Sequence, residues 1–194
     1  MFKFLSALYK PKKDLSKIYS VSMFLNDRDD LAPYPKKDFM AEQGVYAYRL
    51  QFMATEADPA NVFGLIASYF SLKKGVIYQE GEAKHVDGTS IHFSIRQEFN
   101  GAVIELVTNA TPFLLALDKL NLKPPPPWLV FPELDPETLG GRQGAIDYWW
   151  TWYWSPFWDS RSKDEQIQFL KEKHASPEWA EYINLSSQGN TTAR

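Results

Sequence analysis

The stretch Asp147-Tyr148-Trp149-Trp150-Thr151-Trp152-Tyr153-Trp154-Ser155-Pro156-Phe157-Trp158 contains five of the seven tryptophans in a chain of 194 residues. Each large ring buries roughly 150–250 Å², worth about 4–6 kcal/mol at about 25 cal/mol per Å². No other segment of that length supplies as much hydrophobic driving force. Read as a helix, it is apolar on every side, which suits a helix buried all round or one packed on the core with its far face kept for a partner. Read as a strand, it sets Tyr148, Trp150, Trp152 and Trp154 on one face and Trp149, Thr151 and Tyr153 on the other. The pattern alone leaves both open. The lack of an internal turn signal favours a helix over residues 142–154, stopped by Pro156.

Downstream, Ser162 with Glu165 spells a capping box for a helix carrying Ile167, Phe169 and Leu170, and Ser176-Pro177-Glu178 opens another with Trp179 and Tyr182. Residues Ser186 to Arg194 are polar and read as a frayed tail. Upstream, Gly140-Gly141 breaks a short turn capped by Asp135-Pro136-Glu137. The run Pro124 to Pro127 reads as an extended connector over the surface, delivering Trp128 to Phe131 to the C-terminal unit.

The strongest local signal before that run is Asn100-Gly101, which suits the two central positions of a type I′ hairpin. It predicts a register in which paired residue numbers sum to 201, setting Arg96 opposite Glu105 and His92 opposite Asn109, with Phe93, Ile95, Phe99, Ile104 and Leu106 on one face. Further strands are predicted from Tyr19 to Leu25, from Gly44 to Met53 and around Val76 to Tyr78, with Asp87-Gly88 turning into Ile91–Phe99. Asp58 as N-cap and Pro59 open a helix with Val62, Phe63, Ile66, Tyr69 and Phe70 as its apolar stripe. Thr111-Pro112 opens a shorter one with Phe113, Leu114, Leu117 and Leu120. Asn26 to Lys37 is too charged and proline-broken for a core element. The expected fold is a single α+β domain over 1–194: a part containing an antiparallel sheet with a covering helix (1–123), the proline connector (124–127), and an aromatic helical unit (128–185).

Charge and composition narrow the function. Five lysines against Asp14 give residues 1–20 a charge of +4, leaving −7 on the rest of a chain whose net charge is −3. An acidic body argues against a nucleic-acid binder. Absence of cysteine removes thiolate catalysis, thiolate metal sites and disulfides. The N-terminal apolar run stops at Lys10 to Lys13, short of a signal peptide, and Met1, Phe4, Leu5 and Leu8 form a stripe expected to dock on the core. No run approaches the roughly 18 apolar residues of a membrane span.

No motif for covalent chemistry is present. His85 lies among Glu80, Glu82 and Asp87 on a turn where solvated charge is the plain reading, and His174 falls in the last turn of a capped helix, where a cation is favourable. Gly140, Gly141 and Gly144 around Arg142 match neither a P-loop nor a dinucleotide fingerprint. No histidine is assigned a catalytic role, and neither metal nor cofactor is expected. Between residues 129 and 165, seven carboxylates (Glu133, Asp135, Glu137, Asp147, Asp159, Asp164 and Glu165) face Arg142, Arg161 and Lys163. Rings interleaved with acids suit a protein interface with Trp and Tyr anchors and an acidic rim. They also suit carbohydrate, with rings stacking on sugar and Asp147 or Asp159 in acid and base roles.

A small, acidic, cysteine-free α+β chain with aromatics beside carboxylates and no catalytic motif resembles the bacterial immunity proteins that neutralise toxins of contact-dependent or type VI secretion systems. The resemblance is one of overall character along the chain, so no residue role comes with it. It implies a cytoplasmic, non-enzymatic protein that blocks a basic toxin domain by stoichiometric binding, without nucleic acid and without stable membrane insertion. Because so much ring area exceeds what one small core encloses, Trp150, Trp154 and Trp158 are expected to be at least partly accessible. With Asp147 and Asp159 they form the expected partner-binding surface.

Overall fold

The computed structural model describes residues 14–21, 31–55, 58–72, 79–139 and 142–188. Helix α1 (Leu15–Ile18) is a single turn capped by the Asp14 carboxylate on the Ser16 N–H. Strands β1 (Lys37–Phe39) and β2 (Tyr48–Ala54) precede helix α2 (Asp58–Tyr69); β3 (Glu80–Lys84), β4 (Ser90–Glu98) and β5 (Gly101–Thr108) follow. The chain then runs through α3 (Thr111–Asp118), the turn α4 (Pro127–Val130), α5 (Gly144–Trp149), a π-helical segment Trp150–Trp154, α6 (Ser155–Trp158), α7 (Lys163–Glu172) and α8 (Pro177–Gln188). The five strands form one antiparallel sheet in the order β1-β2-β5-β4-β3, so the fold is α+β.

Alternation along the strands separates two faces. Leu50, Phe52, Ile91, Phe93, Ile104 and Leu106 share the first, where α2 and α3 pack, with the Phe63 ring 6.3 Å from Phe93 and Phe113 stacking beside Tyr69 and Phe70. Gln51, Met53, Val103, Glu105, Ser94 and Arg96 share the second. The aromatic helical unit covers one end of that second face, where the Trp149 indole N–H points at the Met53 sulfur. One hydrophobic cluster runs from the sheet through Trp149, Trp154 and Phe169 to Trp179 and Ile183.

Several expectations are corrected. Tyr19, Ser20 and Val21 are not strand; Tyr19 ends α1, and its buried ring sends its hydroxyl to the Val107 carbonyl at 2.8 Å. The rest of that predicted strand, Val76–Tyr78, the N-terminal stripe and residues 189–194 lie outside the described residues. Asp58 does not cap its own helix: its carboxylate accepts the Thr55 N–H (3.1 Å) and hydroxyl (2.6 Å), reaching back three residues as in a capping box. Ser186 is not frayed, because α8 continues to Gln188 and the Ser186 hydroxyl donates to the Tyr182 carbonyl. The four prolines are buried rather than superficial. Proline has no N–H to satisfy, so an extended proline run enters a core at less polar cost than other sequences.

The β4–β5 hairpin turns on Phe99 and Asn100, both at φ +54°, and not on Asn100-Gly101. Paired numbers therefore sum to 199: Arg96 lies opposite Val103, Ser94 opposite Glu105, and His92 opposite Val107 instead of Asn109. The shift is two in the sum, so every side chain keeps its face and Arg96 still reaches Glu105 diagonally at 2.9 Å. Gly101 lies inside the strand, where a Cβ would stand 2.8 Å from the Ala54 carbonyl oxygen and 2.9 Å from the Met53 methyl, so the position takes glycine for space.

Candidate partner-binding surface

The aromatic segment is helical from Gly144 to Trp158 and does not stop at Pro156. A proline inside an α-helix meets the carbonyl four residues before it. Here the wider π turn over Trp150–Trp154 comes just before Pro156 and relieves that clash. The same turn brings residues five apart over one another: Trp149 stacks on Trp154 with centroids 5.8 Å apart and planes at 21°. The stack continues at ordinary helical spacing, with Trp154 on Trp158, four residues on, at 5.2 Å and 17°. Tyr148 and Tyr153, also five apart, bring their hydroxyls to 3.4 Å.

This stacking overturns the expected surface. Trp150, Trp154 and Trp158 are 4%, 1% and 2% exposed, and the buried indole N–H groups of Trp154 and Trp158 find no acceptor among the described residues. They are core, and the helical unit encloses more ring area than its length suggests because parallel stacking lets each ring cover the next. Asp147 and Asp159 are exposed at opposite ends of the segment, about 18 Å apart along a helix axis at about 1.5 Å per residue. The five expected residues therefore do not form one site.

What stands at the surface is the strip beside them. Trp152 is 43% exposed, alone among the seven tryptophans in being so open. It lies one helical turn from Tyr148, with ring centroids 6.3 Å apart. Tyr148 is stacked on Phe99 of the hairpin tip at 6.4 Å, and Phe99 touches Phe131 at 6.1 Å. The Asn100 side chain donates to the Leu129 carbonyl at 3.1 Å, fixing the tip against α4, where Leu129 is 56% exposed. Hairpin tip, α4 and the Tyr148–Trp152 strip thus make one continuous aromatic and apolar surface. Its carboxylates are Glu98 at the tip, exposed Asp147 beside Tyr148, and exposed Glu133, Asp135 and Glu137 after Phe131.

A polar layer under the rings sets their orientation. The Gln51 amide donates to both Tyr148 and Tyr153 hydroxyls at 3.2 Å. Burial, together with the hydrogen bond to Tyr148, raises the Tyr153 phenol far above its ordinary value, so it stays neutral. Burial by itself would lower the Arg96 pKa, but the bond to Glu105 and the charges of Glu105 and Glu98 outweigh it, and the guanidinium is held charged. Arg96 is thereby committed to Glu105 at 2.9 Å and Glu98 at 3.8 Å.

The histidines lie elsewhere. His85 pairs with Asp87 at 3.0 Å and lies over the Tyr69 ring at 4.8 Å. His92 Nδ1 is 2.7 Å from the Tyr19 hydroxyl, which pins α1 to the sheet, and its Nε2 is 3.3 Å from the Glu82 carboxylate. His174 is not in the last turn of α7 but just past it at φ +52°, in a left-handed cap in which the Ala175 N–H donates to the Leu170 carbonyl. Among the described residues no helix is long and apolar enough to cross a membrane. No family model, curated protein or solved structure matches the chain. The sequence does not single out Tyr148 and Trp152 because an all-aromatic helix shows no apolar stripe that would mark its outer face, nor Phe99 and Leu129 because only the tertiary fold brings the hairpin tip and α4 beside that helix. The one usable signal was Asp147 and Thr151 four apart, the polar edge beside which Tyr148 and Trp152 lie.

Proposed function

We propose that this chain is a non-enzymatic protein-binding protein of the toxin-immunity kind, acting in the cytoplasm by occluding a partner rather than by transforming a substrate. The observation that supports it is the exposure of Trp152 and Leu129 beside Tyr148 and Phe99, within a border of carboxylates. Interfaces draw most of their affinity from a few aromatic anchors at the centre of a polar rim, and this surface has that composition. Its anchors are already held by Gln51, Phe99 and Asn100, which lowers the ordering cost of association.

The test is capture of the native partner on immobilised wild-type chain and on Trp152→Ala, each shown by circular dichroism to be folded. A protein retained by the wild type and lost from the variant, toxic when expressed alone and harmless when the chain is co-expressed, is the expected result. Identical capture by both chains, or a captured protein without toxicity, counts against the reading. The carbohydrate reading has one favourable observation, the exposed Trp152 ring and half-buried Tyr148 ring beside Asp147. Titration with oligosaccharides decides it.

A further inference from the structure

In this part of the chain, cations sit on rings. The Arg142 guanidinium lies 4.7 Å from the Trp150 ring centroid, Arg161 lies 4.9 Å from that of Phe157, and the Lys123 ammonium lies 6.0 Å from that of Phe169. Among the described residues, no cation lies over Tyr148 or Trp152, the most exposed ring pair of the segment. The exposed carboxylate Asp147 directly precedes Tyr148 on the same helix. The Arg96 guanidinium is taken up by Glu105 and Glu98. A cation above an aromatic face is attracted by the ring quadrupole, and adjacent carboxylates add directional charge.

We infer that the Tyr148–Trp152 ring pair, with Asp147, is a subsite for an arginine or lysine side chain of a protein partner, the ring faces taking the cation and the Asp147 carboxylate its N–H groups. This rests on the protein-binding reading and names the chemistry of the partner at that surface: a cationic segment. Guanidinium suits the subsite better than ammonium, because it stacks flat and is more weakly hydrated.

The probe is a hexa-arginine peptide titrated into the ¹⁵N-labelled full chain, read at the Trp152 indole N–H resonance, which is assigned by its loss in Trp152→Phe. A saturable shift of that resonance is expected, weakening as salt is raised. Asp147→Asn should loosen binding by about two-fold or more, and Trp152→Ala by about two- to five-fold. Asp164→Asn on α7 should leave it unchanged. An unmoved Trp152 resonance, equal affinity in Asp147→Asn, or a shift produced by maltohexaose instead of hexa-arginine overturns the inference. Loss of the native partner from Trp152→Ala together with no response to hexa-arginine removes the cation subsite and leaves the protein-binding reading standing. A hexa-arginine response together with unaltered capture of native partner by Trp152→Ala does the reverse.

Discussion

At Gly101 the reason for glycine is space, whereas at Phe99 and Asn100 the backbone does what glycine does more easily. A Cβ on Gly101 would meet the Ala54 carbonyl oxygen, so the strand position it occupies takes only glycine, while the turn falls one residue earlier on Phe99 and Asn100. A bulky ring at positive φ is unfavourable; Phe99 is compensated by its contacts with Phe131, Tyr148 and Tyr153. Gly101→Ala should therefore destabilise the fold by about 1–3 kcal/mol in urea unfolding, as overpacking does. A cost below a few tenths would show that the close approach to Ala54 is not made. Trp154→Ala should lose about 3–5 kcal/mol, while Trp152→Ala stays within about 0.5 kcal/mol of wild type. Denaturation of the two variants side by side separates core from surface on one helix. A similar loss in both would place Trp152 in the core and remove it from the partner surface.

Among the elements, α7 shows its cause most directly. Ser162 and Glu165 exchange the two bonds of a capping box, with the Glu165 carboxylate accepting the Ser162 N–H at 2.8 Å and the Ser162 hydroxyl accepting the Glu165 N–H at 3.3 Å. The bond from the Ser162 backbone, then that from its side chain, lowers the Glu165 pKa below 4.5. A carboxyl whose folded pKa is depressed adds stability that is present above its unfolded value and lost as pH falls through the folded one. Wild type should thus be more stable than Glu165→Ala at pH 7, with the difference shrinking below pH 4.5. A gap that holds constant down to pH 3 would mean that the charged cap contributes nothing. The aromatic helix is the contrasting element. Its composition promised burial, but its π turn, which sets the five-residue stacking and lets the helix pass Pro156, depends on how the rings fit the sheet and α7.

For the whole molecule, closure depends on a buried ion pair as well as on rings. Lys37 and Asp118 are 5% and 10% exposed at the side chain and 2.6 Å apart. The Lys37 ammonium also donates to the Ala32 and Pro35 carbonyls, and Asp118 accepts the Ala32 N–H. Burial lowers the Lys37 pKa, and the Asp118 bond and charge oppose the fall. These bonds tie residues 32–37 and the start of β1 to the end of α3. Asp118→Ala leaves a buried ammonium without its counter-charge and should cost about 3–5 kcal/mol. The double variant Lys37→Met/Asp118→Leu should cost less than the sum of the two single changes. Strict additivity in thermal unfolding would show that the pair is not coupled. From its residues alone, the chain determined what local chemistry decides: the α+β class, α2 and α3 from their apolar stripes, α7 and α8 from their serine caps and stripes, the existence of the hairpin, and which face each of its side chains takes. Tertiary structure decided the rest. The hairpin's register came with a close approach of Gly101 to Ala54, forty-seven residues earlier in the sequence, that only glycine permits. Burial of the proline run followed from its missing N–H donors. The choice of Trp152 over Trp150, Trp154 and Trp158 as the exposed ring followed from packing, because a segment apolar on every side has no periodicity to say which side meets water.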